Sequence, residues 1–348
     1  MLKLVCIVVL AIFLSSCEEV YHPAIKKAGG ELVVEALITN DSTRNFVHLS
    51  RTTGFYTVSS SGIVTGAVVK LVDANGNILP GIESTSGMFG FKKTPQVGQR
   101  YKLQILTDGD LYESETVTMP QIPSVDNFYS ARVDKKEYVT NASGVPVATT
   151  VTGQELYLDA PVTADCSNYR FDFRAVMEWV YVVPNTPMAP TVFGWQSLYD
   201  NNTYNLAGPK KFSQAGKIEK QLLMMLPYDT SGSIQAGASV AGWIFLLRQY
   251  GTTQGSYNYH EMLNSQLTAQ GSLFDPVQTQ IYGNIICKTD SSKIAYGYFD
   301  LNSTRQYRYY INFSTTDPTI GVSIREITNY QDIPDNGKLV NQHPGWWQ

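Results

Sequence analysis

The sequence predicts a mainly β protein, an N-terminal β-sandwich followed by a larger β-rich domain with one or two short helices. Three observations lead there. The chain has 348 residues, room for about two domains at roughly 150 residues each. Short apolar–polar alternations of period two recur along most of it, the pattern of half-buried strands. The composition is 43% hydrophobic with 22 Tyr but only 16% charged, which suits packed cores and argues against disorder or a coiled coil. The formal net charge of -4, from 26 basic and 30 acidic residues, leaves no cation surplus for phosphates, so nucleic-acid binding is disfavoured.

The first element is an export signal, residues 1–16. Lys3 supplies a positive start, residues 4–14 form an apolar stretch, and Leu14-Ser15-Ser16-Cys17 is a lipobox with small residues where a signal peptidase cuts. Eleven apolar residues are too few for a hydrocarbon core of about 30 Å, which takes about 20. Cleavage would expose Cys17 for acylation, and several acyl chains make a stable anchor at about 0.8 kcal/mol per buried CH₂. Glu18 and Glu19 follow directly; the pair resembles the acidic run that marks surface export in lipoproteins of Bacteroidetes-type bacteria, and a solvated linker beside the membrane is the other reading. Residues 17–30, with Pro23 and Gly29-Gly30, read as the lipidated tether.

Residues 31–118 form the first β-module. Alternating runs at 31–39, 46–51, 67–73, 88–93, 100–107 and 111–118 give six or seven strands, hence a sandwich. Asn75-Gly76 and Asp108-Gly109 sit between such runs and predict type I′ hairpins, where positive φ is needed at both central residues. Residues 66–107 resemble the immunoglobulin-like or transthyretin-like modules of bacterial surface proteins, a likeness of fold that does not specify function.

Met119-Pro120-Gln121-Ile122-Pro123 removes ladder donors and predicts an extended connector over 119–125. The second domain, 126–348, has alternating runs at 154–160, 169–183, 240–248, 281–286, 293–300 and 307–313. A helix is predicted over 256–268, with Tyr259, Met262, Leu263 and Leu267 on one face and Gly271 just past its end; 218–225 is a second, shorter helix candidate.

With the lipobox, the segments Leu32-Val33-Val34-Glu35-Ala36-Leu37-Ile38-Thr39-Asn40-Asp41 and Val47-His48-Leu49-Ser50-Arg51-Thr52 resemble the opening of a Bacteroidetes lipoprotein family, domain of unknown function 4249 (DUF4249). Gly66-Ala67-Val68-Val69, Tyr112-Glu113-Ser114, the 119–123 connector, Asn168-Tyr169-Arg170-Phe171, Gly271-Ser272-Leu273-Phe274-Asp275-Pro276 and Gly283-Asn284-Ile285 follow in family order. The chain departs from the family's pattern at its end, where Pro344-Gly345-Trp346-Trp347-Gln348 stands in place of a paired-cysteine segment. The resemblance implies an outer-membrane lipoprotein that works beside a TonB-dependent importer, with no cofactor and no catalytic residues to carry over.

The residues themselves offer little catalytic chemistry. His22, His48, His260 and His343 form no His-x-x-x-His pair, and neither a Gly-x-Ser-x-Gly elbow nor a phosphate-binding glycine loop occurs. Asp73-Ala74-Asn75-Gly76-Asn77 starts like a calcium loop, but Ile78 and Ser84 stand where the turn glycine and the bidentate glutamate belong, so it reads as a hairpin turn. Asp108, Asp110, Glu113 and Glu115 read as the charges of a solvated strand edge. Cys166 and Cys287 are the thiols left after Cys6 and Cys17 are set aside; their even number permits a disulfide, and two buried reduced thiols are the other reading.

Trp179, Tyr181, Trp195, Tyr199 and Tyr204 lie in or beside a Pro- and Gly-broken stretch over 183–209, long enough to be a binding loop. Trp179 and Tyr181 read as strand residues. Trp195, Tyr199 and Tyr204, with Trp346 and Trp347, are the candidates for contact with a ligand or partner. The leading expectation is a surface lipoprotein acting without catalysis as the partner of a TonB-dependent β-barrel. A free-standing adhesin or glycan binder comes second and a hydrolase with a dispersed site third.

Overall fold

The computed structural model of the chain describes residues 30–53, 62–140, 143–186, 188–199, 204–209, 216–228, 236–269, 280–313, 321–328 and 332–347. These residues are mainly strand, with a single α-helix among them. The first module contains β1 (Leu32–Thr39), β2 (Phe46–Arg51), β3 (Gly62–Ile63), β4 (Val68–Asp73), β5 (Ile78–Thr85), β6 (Met88–Phe91), β7 (Arg100–Thr107), β8 (Asp110–Ser114) and β9 (Val117–Thr118). Alternation along β1 sends Leu32, Val34, Ala36 and Ile38 inward against Leu103 and Ile105 of β7 and Val47 and Leu49 of β2, all of them buried. Each of the Leu, Val and Ile side chains contributes about 1.5–3 kcal/mol by leaving water. β5 pairs first with β4 and then with β6, so it bends from one sheet to the other.

One of the two expected hairpin turns has the anticipated form. Asp108 (φ 51°) and Gly109 (φ 83°) both take positive φ, giving the type I′ turn between β7 and β8. At Asn75-Gly76 only Gly76 does (φ 84°), and its N–H donates to Asp73 O at 3.1 Å, so this is a type I turn closed by a glycine bulge. The Asp73 carboxylate accepts from the backbone N–H of Asn75 and of Asn77 at 2.9 and 2.8 Å, which occupies it as a turn residue.

The second module holds β10 (Asn127–Thr140), β11 (Pro146–Pro161), β12 (Asn168–Val182), β13 (Thr191–Tyr199), β14 (Asn205–Ala207), β15 (Lys217–Pro227), β16 (Ser239–Thr252), helix α1 (Gln254–Leu267), β17 (Ile285–Cys287), β18 (Ala295–Asn312), β19 (Ser323–Glu326) and β20 (Asn336–Val340). Two of these strands return to the first module. β17 pairs antiparallel with β8, and the first half of β18 pairs parallel with β1 from Leu32↔Ala295 to Thr39↔Asn302. Ile285, Cys287, Ala295, Phe299 and Leu301 therefore complete the first core. The N-terminal sandwich is thus not confined to 31–118: β1 and β8 would otherwise expose unpaired backbone, and the returning chain covers both.

The second half of β18 pairs with β16, from Gly251↔Ser303 to Trp243↔Ile311, so one long strand belongs to both modules. Glycines permit the crossing. At Gly297 (φ 88°) an added Cβ would stand 1.9 Å from Val34 O, and one at Gly283 would stand 1.5 Å from Gly297 O.

In the second module the large sheet runs β20-β13-β12-β16-β18-β19, with β14 beside the start of β12. A separate sheet, β10-β11-β15, packs on one of its faces. Phe173, Met177, Trp243, Phe245 and Ile311 meet Leu156, Leu158, Ile218, Leu223 and Leu226 there, and the rings of Phe128 and Tyr309 stack at 3.9 Å. The segment 218–225 is therefore strand β15 and not a helix. Pairing with β11 recruits its apolar residues, and register shifts together with Lys220 at φ 54° absorb the breaks in its alternation.

The connector is extended, as its prolines require, and both ends are anchored. Met119 is buried in the first core and Ile122 in the second, and Arg305 Nε donates to Ile122 O at 3.2 Å. Helix α1 starts two residues earlier than expected because Thr253 caps it, accepting from Ser256 N at 3.2 Å. Its buried residues are Ser256, Tyr257 and His260, while Met262 and Leu267 are exposed. The helix turns its polar side inward; Gly271 lies outside the described residues.

Candidate functional site

Cys17, Glu18 and Glu19 lie outside the described residues. Cys166 and Cys287 are free thiols, both buried. The disulfide is not formed: Cys166 sits in the second core and Cys287 in the first, and burial pushes the Cys166 thiol up to about 11. The acidic hairpin is not a free edge, because β17 covers β8. Three of its four carboxylates are in ion pairs, Glu113 with Lys102 at 3.1 Å, Asp110 with Lys293 and Asp108 with Arg51.

Three of the five aromatic candidates are core residues. Trp195 is on strand β13 rather than in a loop, and its ring covers Gly337, its cross-strand neighbour on β20. It meets Trp346 edge-on at 5.3 Å, Trp346 meets Trp347 at 5.8 Å, and Trp347 meets Tyr310 at 5.4 Å. All three tryptophans are buried with Val176, Ile244, Ile327 and Ile333, so the chain's end packs onto the outer face of the large sheet. Such flat rings gain most from this kind of burial, and here they close a sheet face. Tyr199 is exposed at the end of β13, where its hydroxyl donates to the Asp335 carboxylate and Arg174 lies 5.7 Å over its ring. Tyr204 is half-buried, with its ring edge-on to His260 at 4.6 Å.

Sequence reasoning missed a buried polar cluster of the second module. Arg170 of β12, Asp300 of β18 and Ser256 and His260 of α1 meet between the helix and the sheet, all of them buried. Arg170 Nη1 donates to Asp300 Oδ2 at 2.9 Å and to His260 Nε2 at 3.1 Å, and Ser256 Oγ donates to Asp300 Oδ1 at 2.5 Å. The second His260 nitrogen, Nδ1, lies 2.9 Å from Ser256 O, which assigns the proton there and leaves Nε2 as acceptor. Burial lowers the His260 pKa and favours this neutral ring. Asp300 is held below the ordinary carboxylate range: burial opposes its charge, and the Arg170 guanidinium and the Ser256 hydroxyl outweigh it.

Serine, histidine and aspartate are thus together but not wired as a nucleophile and base. The hydroxyl gives its proton to the carboxylate, and the imidazole nitrogen that would accept from it is occupied by a guanidinium. The arrangement is a polar lock that fixes α1 on the sheet.

Period two places a different set on the open part of the same sheet face. Register aligns Asp172, Arg248 and Gln306 in one row across β12, β16 and β18, and Arg174, Leu246 and Arg308 in the next. With Arg44, Tyr199 and Asp332 they line a cavity of about 600 Å³. Gln306 also lines a second cavity of about 900 Å³, bounded by Asn40, Asp41, Ser42, Lys92, Lys93, Thr94 and Thr304. The two form an open trough along the junction of the modules. Arg174 is engaged already, donating to Ser197 Oγ at 2.9 Å and to the carbonyls of Ile333 and Pro334 at 2.8 Å. Arg248 is different: its Nε and Nη1 are buried and have no hydrogen-bond partner among the described residues.

The protein defined by these observations is a mainly β chain of two packed modules threaded by one shared strand, with a cationic trough at the junction. It belongs to the family described as domain of unknown function (DUF4249), whose profile matches residues 18–308; β19, β20 and the tryptophan pair lie beyond the match. Searches of curated proteins and of solved structures find no match.

Proposed function

We propose that the protein is a lipid-anchored outer-membrane protein, exposed at the cell surface, that captures a ligand without catalysis and serves a TonB-dependent importer. The observation that carries this reading is the lipobox at Leu14-Ser15-Ser16-Cys17, a short segment ahead of β1. Two further features support a binding role. The trough is open and lined by polar side chains, and the buried Ser256–His260–Asp300 group lacks the wiring of a hydrolytic triad. The adhesin alternative rested on the aromatic stretch, whose Trp195 is packed in a core.

The test is mass spectrometry of the amino end together with cell fractionation of wild type and Cys17→Ala. Acylated Cys17 in the outer membrane, lost from the membrane in the variant, supports the reading, and co-purification of a TonB-dependent barrel after cross-linking supports the partnership. An unmodified, soluble wild-type protein overturns it.

A further inference from the structure

The geometry points to the trough as the binding site of a short linear polyanion, a molecule carrying at least two carboxylate or phosphate groups along its length. This rests on the capture reading above and gives it a ligand class.

The first argument is charge. The chain as a whole carries a formal net charge of -4, yet the smaller cavity is lined by four arginines, Arg44, Arg174, Arg248 and Arg308, against Asp172 and Asp332, with Asp335 paired to Arg174 at 3.3 Å beside it. Its neighbour adds Lys92 and Lys93 against one carboxylate, Asp41. A concave surface of sign opposite to the whole molecule concentrates anions. The second argument is hydrogen bonding. Arg248 has two buried N–H groups with no partner among the described residues, and Asp172 lies directly across from it on β12. A guanidinium can only donate, no acceptor among the described residues meets these N–H groups, and an oxyanion answers a guanidinium better than a neutral group does.

The third argument is what the acidic residues already do. Asp41 Oδ1 accepts from Thr43 N at 3.0 Å and Thr43 Oγ1 at 2.8 Å, and its Oδ2 accepts from Gln306 at 2.7 Å. It is spent on the turn it caps and holds the shared wall in place. The last argument is length. The arginines and the lysine pair stand in adjoining cavities of about 600 and 900 Å³ that meet at Gln306, so one small ion would meet only one group of cations. A ligand with anionic groups spaced along it meets both.

Isothermal titration of the full chain in non-ionic detergent tests this, with trigalacturonate as the carboxylate probe, tripolyphosphate as the phosphate probe and maltotriose as the neutral control. Binding of either anion, with affinity falling as salt rises, is expected; which of the two binds names the oxyanion. Arg248→Gln is expected to weaken binding at least tenfold. Lys92→Gln/Lys93→Gln, at exposed positions that do not endanger folding, should weaken it severalfold and lower the salt dependence. The proposal is overturned if neither anion binds, if maltotriose binds equally well, or if the lysine pair variant binds as the wild type does. Loss of the barrel in cross-linking would leave a positive titration standing, and a negative titration would leave the anchor and barrel results untouched.

Discussion

Glu178 provides the sharpest test of the physical picture. Its side chain on β12 has no exposed surface; Oε1 lies 3.0 Å from His343 Nδ1 and Oε2 has no partner. Burial pushes its carboxyl up to about 7, with the hydrogen bond from His343 and that residue's charge acting the other way. The folded protein therefore holds this proton more tightly than the unfolded chain, where the value is near 4.5. The contribution to stability is present below pH 4.5 and is lost as pH rises through about 7. At about 1.4 kcal/mol for each pH unit between the two values, ionising Glu178 costs about 3 kcal/mol.

Glu178→Gln keeps an acceptor for His343 and removes the charge. Thermal unfolding of both proteins at pH 5 and pH 8 should show the variant gaining about 5 °C on the wild type between the two, since about 2.5 kcal/mol of that cost falls in this interval, at roughly 2 °C per kcal/mol for a chain of this size. Parallel pH profiles for the two proteins would refute the argument that burial governs this carboxyl.

Gly297→Ala forces a Cβ onto Val34 O at a positive-φ position, and is expected to cost more than about 4 kcal/mol or to abolish soluble expression; a wild-type urea midpoint would contradict this. Asp300→Ala leaves Arg170 buried without its counter-charge and should destabilise by about 3–5 kcal/mol in denaturant titration, against less than about 1 kcal/mol for an exposed pair. Cys166 and Cys287 should resist Ellman's reagent in the native mature protein and yield two thiols in denaturant without reductant; none in denaturant would show a disulfide.

Much of the fold was legible because strands write their burial locally. The alternation of Leu32, Val34, Ala36 and Ile38 and the turn residues of Asp108-Gly109 carry their structure in a few positions. The return of the chain could not be read that way. β18 pairs with a strand about 260 residues earlier, and nothing near Ala295 or Leu32 names the other. The inner face of α1 was misjudged for a related reason: apolar spacing pointed to Met262 and Leu267, whereas the helix docks through Ser256 and His260 onto charges supplied by β12 and β18. The trough is likewise a product of register, since Arg174, Arg248 and Arg308 become neighbours only when three strands align. Trp195, Trp346 and Trp347 looked available because composition cannot tell an aromatic that closes a sheet face from one that greets a partner.

The shared strand has a mechanical consequence. β1 follows the amino-terminal segment directly and runs parallel to β18, whose far end lies in the second module. Tension between that segment and the second module pulls the two strands lengthwise in opposite directions. The ladder of eight aligned residue pairs is then loaded in shear, all rungs together, and does not unzip one rung at a time. A body held by its leading end against flow or a pulling partner would transmit force through this joint without peeling open.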